Sequence, residues 1–141
     1  MARPTRLMLI VAGSLYAATA TRDRNHRRSI ELLSSAPRPL VVPSLVVTEV
    51  AYLLGDRIGP HAEIAFARSL ERGELLVEPV VDSDWRRIVE LTEQYADLPL
   101  RIVDASVVTV AERDLDTIAT LDHRHFATVK PRHVAAFILV P

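Results

Sequence analysis

The chain contains no cysteine, so disulfides, zinc–thiolate centres and cysteine nucleophiles are excluded together. Aromatic residues make up only 5% of it, too few for a protein that holds single strands by stacking their bases. It has no run of about 18 apolar residues that would span a bilayer. A glycine-rich phosphate loop of the P-loop or dinucleotide type is also missing. Nor is one sign of charge in excess. Asp and Glu number 18 against 17 Lys and Arg, a net of −1, which excludes the cationic coat of a non-specific nucleic-acid binder. Lys130 is the single lysine, so sixteen of the 17 bases are arginine, whose forked guanidinium suits phosphate.

What is present is the composition of one globular domain: 141 residues, 49% apolar and 25% charged. Arg3 and Arg6 before the apolar stretch 7–11 loosely resemble a secretion leader. That stretch is short and no small-residue cleavage site follows, so a soluble cytoplasmic protein is expected. Residues 1–7 read as an N-terminal extension and 8–141 as the domain. Short apolar runs at 7–11, 40–42, 75–77, 117–121 and 136–140 read as strands. Helical patterns fall between them. Asp23 or Asn25 begins one that runs to about Ser35, and Pro43-Ser44 opens another through Leu54. Others cover 61–72, 82–98 and 102–113. This alternation predicts an α/β three-layer sandwich with a central, mostly parallel sheet flanked by helices.

Most of the acids lie among polar neighbours, but three do not. Glu49 stands in Val46-Val47-Thr48-Glu49-Val50 and, on a helix, shares a stripe with Val46 and Leu53 that should face the sheet. Asp104 follows Ile102-Val103 and precedes Val107 and Val108 at helical spacing. Asp122 directly follows a strand, where open α/β sheets place their ligand crevices. Taken singly, Asp104 and Asp122 read equally well as helix caps or first-turn acids, and Glu49 as a residue reaching the edge of its stripe or pairing with an arginine. Taken together, clustered carboxylates need protons or a cation. Oxygen ligands alone, with no cysteine and no well-spaced histidine pair, point to a hard ion such as Mg²⁺ or Mn²⁺ and to metal-dependent phosphodiester cleavage.

Three stretches carry a family resemblance: Pro43-Ser44-Leu45-Val46-Val47-Thr48-Glu49-Val50, Leu98-Pro99-Leu100-Arg101-Ile102-Val103-Asp104-Ala105-Ser106, and Thr120-Leu121-Asp122-His123-Arg124-His125-Phe126. In this order they resemble the PIN domain, and within it the VapC toxins of VapBC toxin–antitoxin modules. The resemblance implies a PIN-like fold and a cytoplasmic Mg²⁺-dependent (or Mn²⁺-dependent) endoribonuclease. It further implies a homodimer, inhibited by a VapB-type antitoxin. It assigns Glu49, Asp104 and Asp122 as catalytic metal ligands, with Thr120 as their polar neighbour. The family also has an acid at the end of the first strand, in the pattern apolar-apolar-Asp-small-small-x-Leu. Here the chain runs Leu9-Ile10-Val11-Ala12-Gly13-Ser14-Leu15-Tyr16. An Asp inserted between Val11 and Ala12 would restore the acid and the spacing to Leu15, so the difference reads as a deletion. It implies weakened or absent cleavage, with Ser14 or Asp23 as possible compensating groups, and a non-catalytic scaffold that binds antitoxin or RNA as the alternative.

The remaining features are less specific. His123 and His125 flank Asp122, but a zinc site lacks a third ligand there; a phosphate-facing role suits His125 or Arg124. Arg24, Arg27 and Arg28, with Arg22 beside them, read either as a solvated helix face or as an RNA-backbone groove. Trp85 with Ile88 reads as core or helix packing and not as a base-stacking platform. The series Ala51, Leu54 and Ile58, with Ile64 beyond it, reads as core or, if exposed, as an interface.

Overall fold

The computed structural model describes residues 7–141; all but Leu7 of the expected N-terminal extension 1–7, its leader-like arginines included, lies outside the described residues. Five strands, β1 (Met8–Ile10), β2 (Leu40–Pro43), β3 (Leu75–Glu78), β4 (Thr117–Ala119) and β5 (Ile138–Val140), form one sheet in the order β3-β2-β1-β4-β5. Every pairing is parallel, so the expected mostly parallel sheet is wholly so. Leu9 at its centre lies opposite Val41 on one side and Ile118 on the other. The central strands are closed to solvent, with Leu9, Ile10, Val42 and Ile118 at 0% exposure. They are short continuous apolar runs because helices leave them no wet face.

The described helices are α1 (Ala12–Thr19), α2 (His26–Ser35), α3 (Ser44–Arg57), α4 (Pro60–Glu71), α5 (Asp84–Gln94), α6 (Ile102–Ala111) and α7 (His123–Thr128). In α3 the buried face is Val46, Val50 and Leu54, spaced at i, i+4 and i+8. Helix α6 is buried from Ala105 to Ala111 without a break, as a helix apolar on all sides must be. Helix α1 packs on α2 and α3, α3 on α4 and α6, and α5 on α6. The chain leaves β1 towards β2 on one side while β4 lies on the other. The strand order therefore reverses between β1 and β4, and the crevice at their C-terminal ends is the expected ligand position.

Some expectations are corrected. The 7–11 strand closes at Ile10, and α1 follows at once where the sequence pattern shows no helix. The 117–121 strand ends at Ala119 and the short α7 follows Asp122. Trp85 is 44% exposed and is not core, although Ile88 beside it is buried. Leu54 is core, but Ile58 and Ile64 stand in solvent at 38% and 53% exposure, so their series is not a single core stripe. Glu49 lies beside the buried face of α3 and does not share it.

An ion pair locks the back of the helical layer. Arg87 on α5 donates from Nε and Nη2 to the two carboxylate oxygens of Glu112, at 2.8 and 2.9 Å. Both side chains are nearly closed to solvent, at 12% and 10% exposure. The backbone N–H of Arg132 donates to the same carboxylate at 2.7 Å, which ties the segment before β5 to α5 and α6. Burial raises the Glu112 pKa, but the bond from Arg87 and then that from Arg132 overcome it and hold the value below the ordinary Glu range. Glu112→Gln should lower stability by roughly 3 kcal/mol by leaving Arg87 without its counter-charge, read as a lower urea midpoint. Because the folded pKa is depressed, this advantage is full above the ordinary Glu value. It should vanish as pH falls through the folded value.

Candidate metal centre

The end of β1, the first turn of α1, the first two turns of α3 and α6, and the start of α7 enclose a cleft of about 270 Å³. Its walls include Val11, Ala12, Gly13, Glu49, Val103, Asp104, Thr120, Asp122 and His125. The three acids separated by 55 and 18 residues in sequence thus share one crevice, at the reversal of strand order. A larger cavity of about 750 Å³ lies between α1, α2, α4 and β3, but its lining is mainly apolar and holds no cluster of acids, so the smaller cleft is the candidate site.

Each acid is placed by its local structure. Asp104 is the third residue of α6, half-buried, and its Oδ2 accepts the N–H of Arg101 at 3.3 Å. It is at once a first-turn acid and a cleft acid. Asp122 is likewise the cap of α7, with Oδ1 accepting the Arg124 N–H at 3.1 Å, while Oδ2 lies 3.1 Å from Nδ1 of His125. Thr120, buried at the end of β4, shapes that turn: its Oγ1 accepts the Asp122 N–H and donates to the Asp122 carbonyl, each at 3.1 Å. Glu49, from the second turn of α3, stands at the rim. Glu49 is exposed as a residue, yet its carboxylate is partly withdrawn from water. That burial, and next the charge of Asp104, raise its pKa. The Asp104 pKa is raised too, first by burial and further by Asp122, against opposing help from the Arg101 N–H and from His125.

The raised values are the mark of carboxylates crowded together without enough positive charge. Among the described residues none of the three acids forms an ion pair with lysine or arginine. Their hard oxygen chemistry fits a divalent ion. The fit is incomplete as the side chains stand: among the described residues no three acidic or histidine side chains already form a metal-holding group. The wall contributed by the end of β1 has no donor side chain, only Val11, Ala12 and Gly13.

That wall is where the sequence pattern expects the first-strand acid. Val11 continues the ladder, donating to the Ala119 carbonyl at 3.1 Å, caps α1 with extended backbone, and faces the cleft. The run Leu9-Ile10-Val11-Ala12-Gly13-Ser14-Leu15 then already has the family's spacing, with valine in the acid's place. A residue inserted after Val11 would have to shift either the ladder or α1 in register. Neither expected substitute reaches the site: Ser14 is buried without a hydrogen-bond partner and does not line the cleft, and Asp23 lies outside it. Arg24, Arg27, Arg28 and Arg124 are exposed and do not line it either. His125 does, whereas His123 is exposed and lies outside it.

Comparison with known proteins agrees with this geometry. The PIN domain family matches residues 8–130. Ribonuclease VapC26 of Mycobacterium tuberculosis is 31% identical over 135 residues, covering 95% of this chain and all of that protein. The crystal structure of M. tuberculosis VapC20, a Sarcin-Ricin loop cleaving toxin, has the same fold, with a TM-score of 0.79 at 20% identity over 91% of this chain and 98% of that one. The VapBC2 structure from Rickettsia felis, bound to a DNA fragment from its promoter, gives a TM-score of 0.64 at 15% identity over 94% and 96%. The chain belongs to the PIN-domain family and, within it, to the VapC ribonucleases.

Proposed function

We propose that the chain is a toxin-type endoribonuclease that cleaves RNA phosphodiesters with Mg²⁺ or Mn²⁺, and that valine at position 11 makes it a weak one. The observation that carries this reading is the meeting of Glu49, Asp104 and Asp122 in one cleft at the strand-order reversal, with the pKa values of the first two raised. Glu49 and Asp104 would hold the ion, with Asp122 as a third oxygen donor once it turns from His125. A bound ion supplies an acidified water and neutralises charge on the phosphate. Glu49 sits at the rim, where burial and then the charge of Asp104 raise its pKa, and a bound cation would relieve that crowding. The Arg101 N–H orients Asp104, and Thr120 and the start of α7 orient Asp122. The apolar side chains of Val11, Val46 and Val103 keep one wall dry, which strengthens charge interactions there.

Relatives with this fold support a VapB-type antitoxin as inhibitor, because VapBC2 was solved as a toxin–antitoxin complex. A homodimer in the cytoplasm completes the reading. Incubation of the purified chain with single-stranded RNA should give slow cleavage with Mn²⁺ that EDTA stops. Binding of RNA and antitoxin with no cleavage at any ion concentration would favour instead a non-catalytic scaffold, the reading that Val11 by itself supports.

A further inference from the structure

A third cavity, of about 620 Å³, opens at the far end of the seam between α1 and α3 from the acidic cleft. Tyr16, Ala20, Arg22, Asp23, Arg57 and His61 are among its walls. Among the described residues neither Arg22 nor Arg57 forms an ion pair. The Arg57 guanidinium instead lies over the Tyr16 ring, 5.3 Å from its centroid. Asp23, the acid of this pocket, is engaged locally, with Oδ1 accepting the Asn25 N–H at 2.8 Å. His61 is brought alongside by the turn at Gly59, whose φ of 141° a side chain would rarely allow. Arg57 suits the last turn of α3 in any case.

The two cavities lie on one track. Glu49 and Arg57 are at i and i+8 of α3, so they share a face and stand about 12 Å apart along the axis. Ala12 and Tyr16, at i and i+4, share a face of α1, which packs on α3, and Ala20 directly follows the last residue of that helix. An acidic cleft repels a polyanion, so its hold on the strand must come from cations elsewhere. We propose that the Arg22–Arg57–His61 pocket is a phosphate subsite for single-stranded RNA, gripping the backbone a few nucleotides from the bond held at the acids. This rests on the ribonuclease reading and extends it.

The test is binding of a labelled single-stranded RNA in EDTA, which separates grip from cleavage. Arg22→Gln with Arg57→Gln should weaken binding roughly 10-fold at low salt and flatten the salt slope by about 0.7 for each phosphate no longer neutralised. Removing the same charge from exposed Arg68 and Arg86 should change neither. Melting curves check the fold. If taking the guanidinium away from Tyr16 unsettles the double variant, Arg22→Gln alone should still weaken binding. Equal binding by wild type and pocket variants overturns the subsite, as it would if the pocket served an acidic peptide. Failure of the wild type to bind RNA at all overturns the ribonuclease reading with it.

Discussion

Val11→Asp should raise RNA cleavage roughly 100-fold, the scale on which one preorganised charged group at a reacting centre counts. It should also give the protein a melting temperature that depends on Mn²⁺. Val11 is 8% exposed, lines the cleft with Glu49 and Asp104, and caps α1 without a side-chain bond. An aspartate in this extended conformation can accept an N–H of the first turn of α1, which contributes about 1 kcal/mol. Against that stand the removal of a packed apolar side chain and a fourth carboxylate in a cleft where burial and neighbouring acids already raise two pKa values. In EDTA the variant should therefore melt below wild type. With Mn²⁺ the order should reverse, because an ion bound only by the folded state stabilises it in proportion to ln(1 + [ion]/Kd). Cleavage assays and melting with and without Mn²⁺ check both parts. An ion-independent melting temperature would show that position 11 does not face the ion. Insertion of Asp after Val11 should do worse than the substitution, since Val11 and Ala119 are already in register.

The strands and α2 to α6 were legible because β-branched runs and helical spacing are bounded by Pro, Gly and Asn. Helix α1 was not. Its residues Ala12, Ser14, Leu15 and Ala17 are all buried, so no polar face gives it a period, and Ala12-Gly13 looks like the end of a strand. Periodicity likewise puts Ile58 and Ile64 on helix faces but does not say what covers them, and among the described residues both stay exposed. The acids were identifiable by their apolar company. Their meeting depends on strand order, which places the ends of β1 and β4 side by side. The meeting of Arg22 with Arg57, 35 residues away, likewise depends on tertiary packing, and the conspicuous run Arg24, Arg27 and Arg28 lies outside both cavities.

Asp104→Asn should remove cleavage, by on the order of 100-fold or more in the Val11→Asp background where there is most to lose, without unfolding the protein. The amide oxygen can still accept the Arg101 N–H, so the first turn of α6 keeps its bond. What disappears is a half-buried charge that the fold disfavours: burial first, and then Asp122, raise the Asp104 pKa. A carboxyl whose folded pKa is raised binds its proton more tightly in the native state, so ionising it costs stability above that value. The variant escapes this cost and should melt no lower than wild type at neutral pH in EDTA. As pH falls through the raised value, wild-type Asp104 takes up its proton and the two melting curves should converge. Ion binding has the opposite sign, since it needs the carboxylate. Wild-type affinity for Mn²⁺ should weaken on acidification at a pH above the ordinary Asp range, and Asp104→Asn should show little Mn²⁺ binding at any pH. A variant that lost stability and cleavage together, equally at every pH, would make Asp104 a helix-start residue whose place in the cleft is incidental. Gain or maintenance of stability with loss of cleavage would identify a charge kept for function at the expense of the fold.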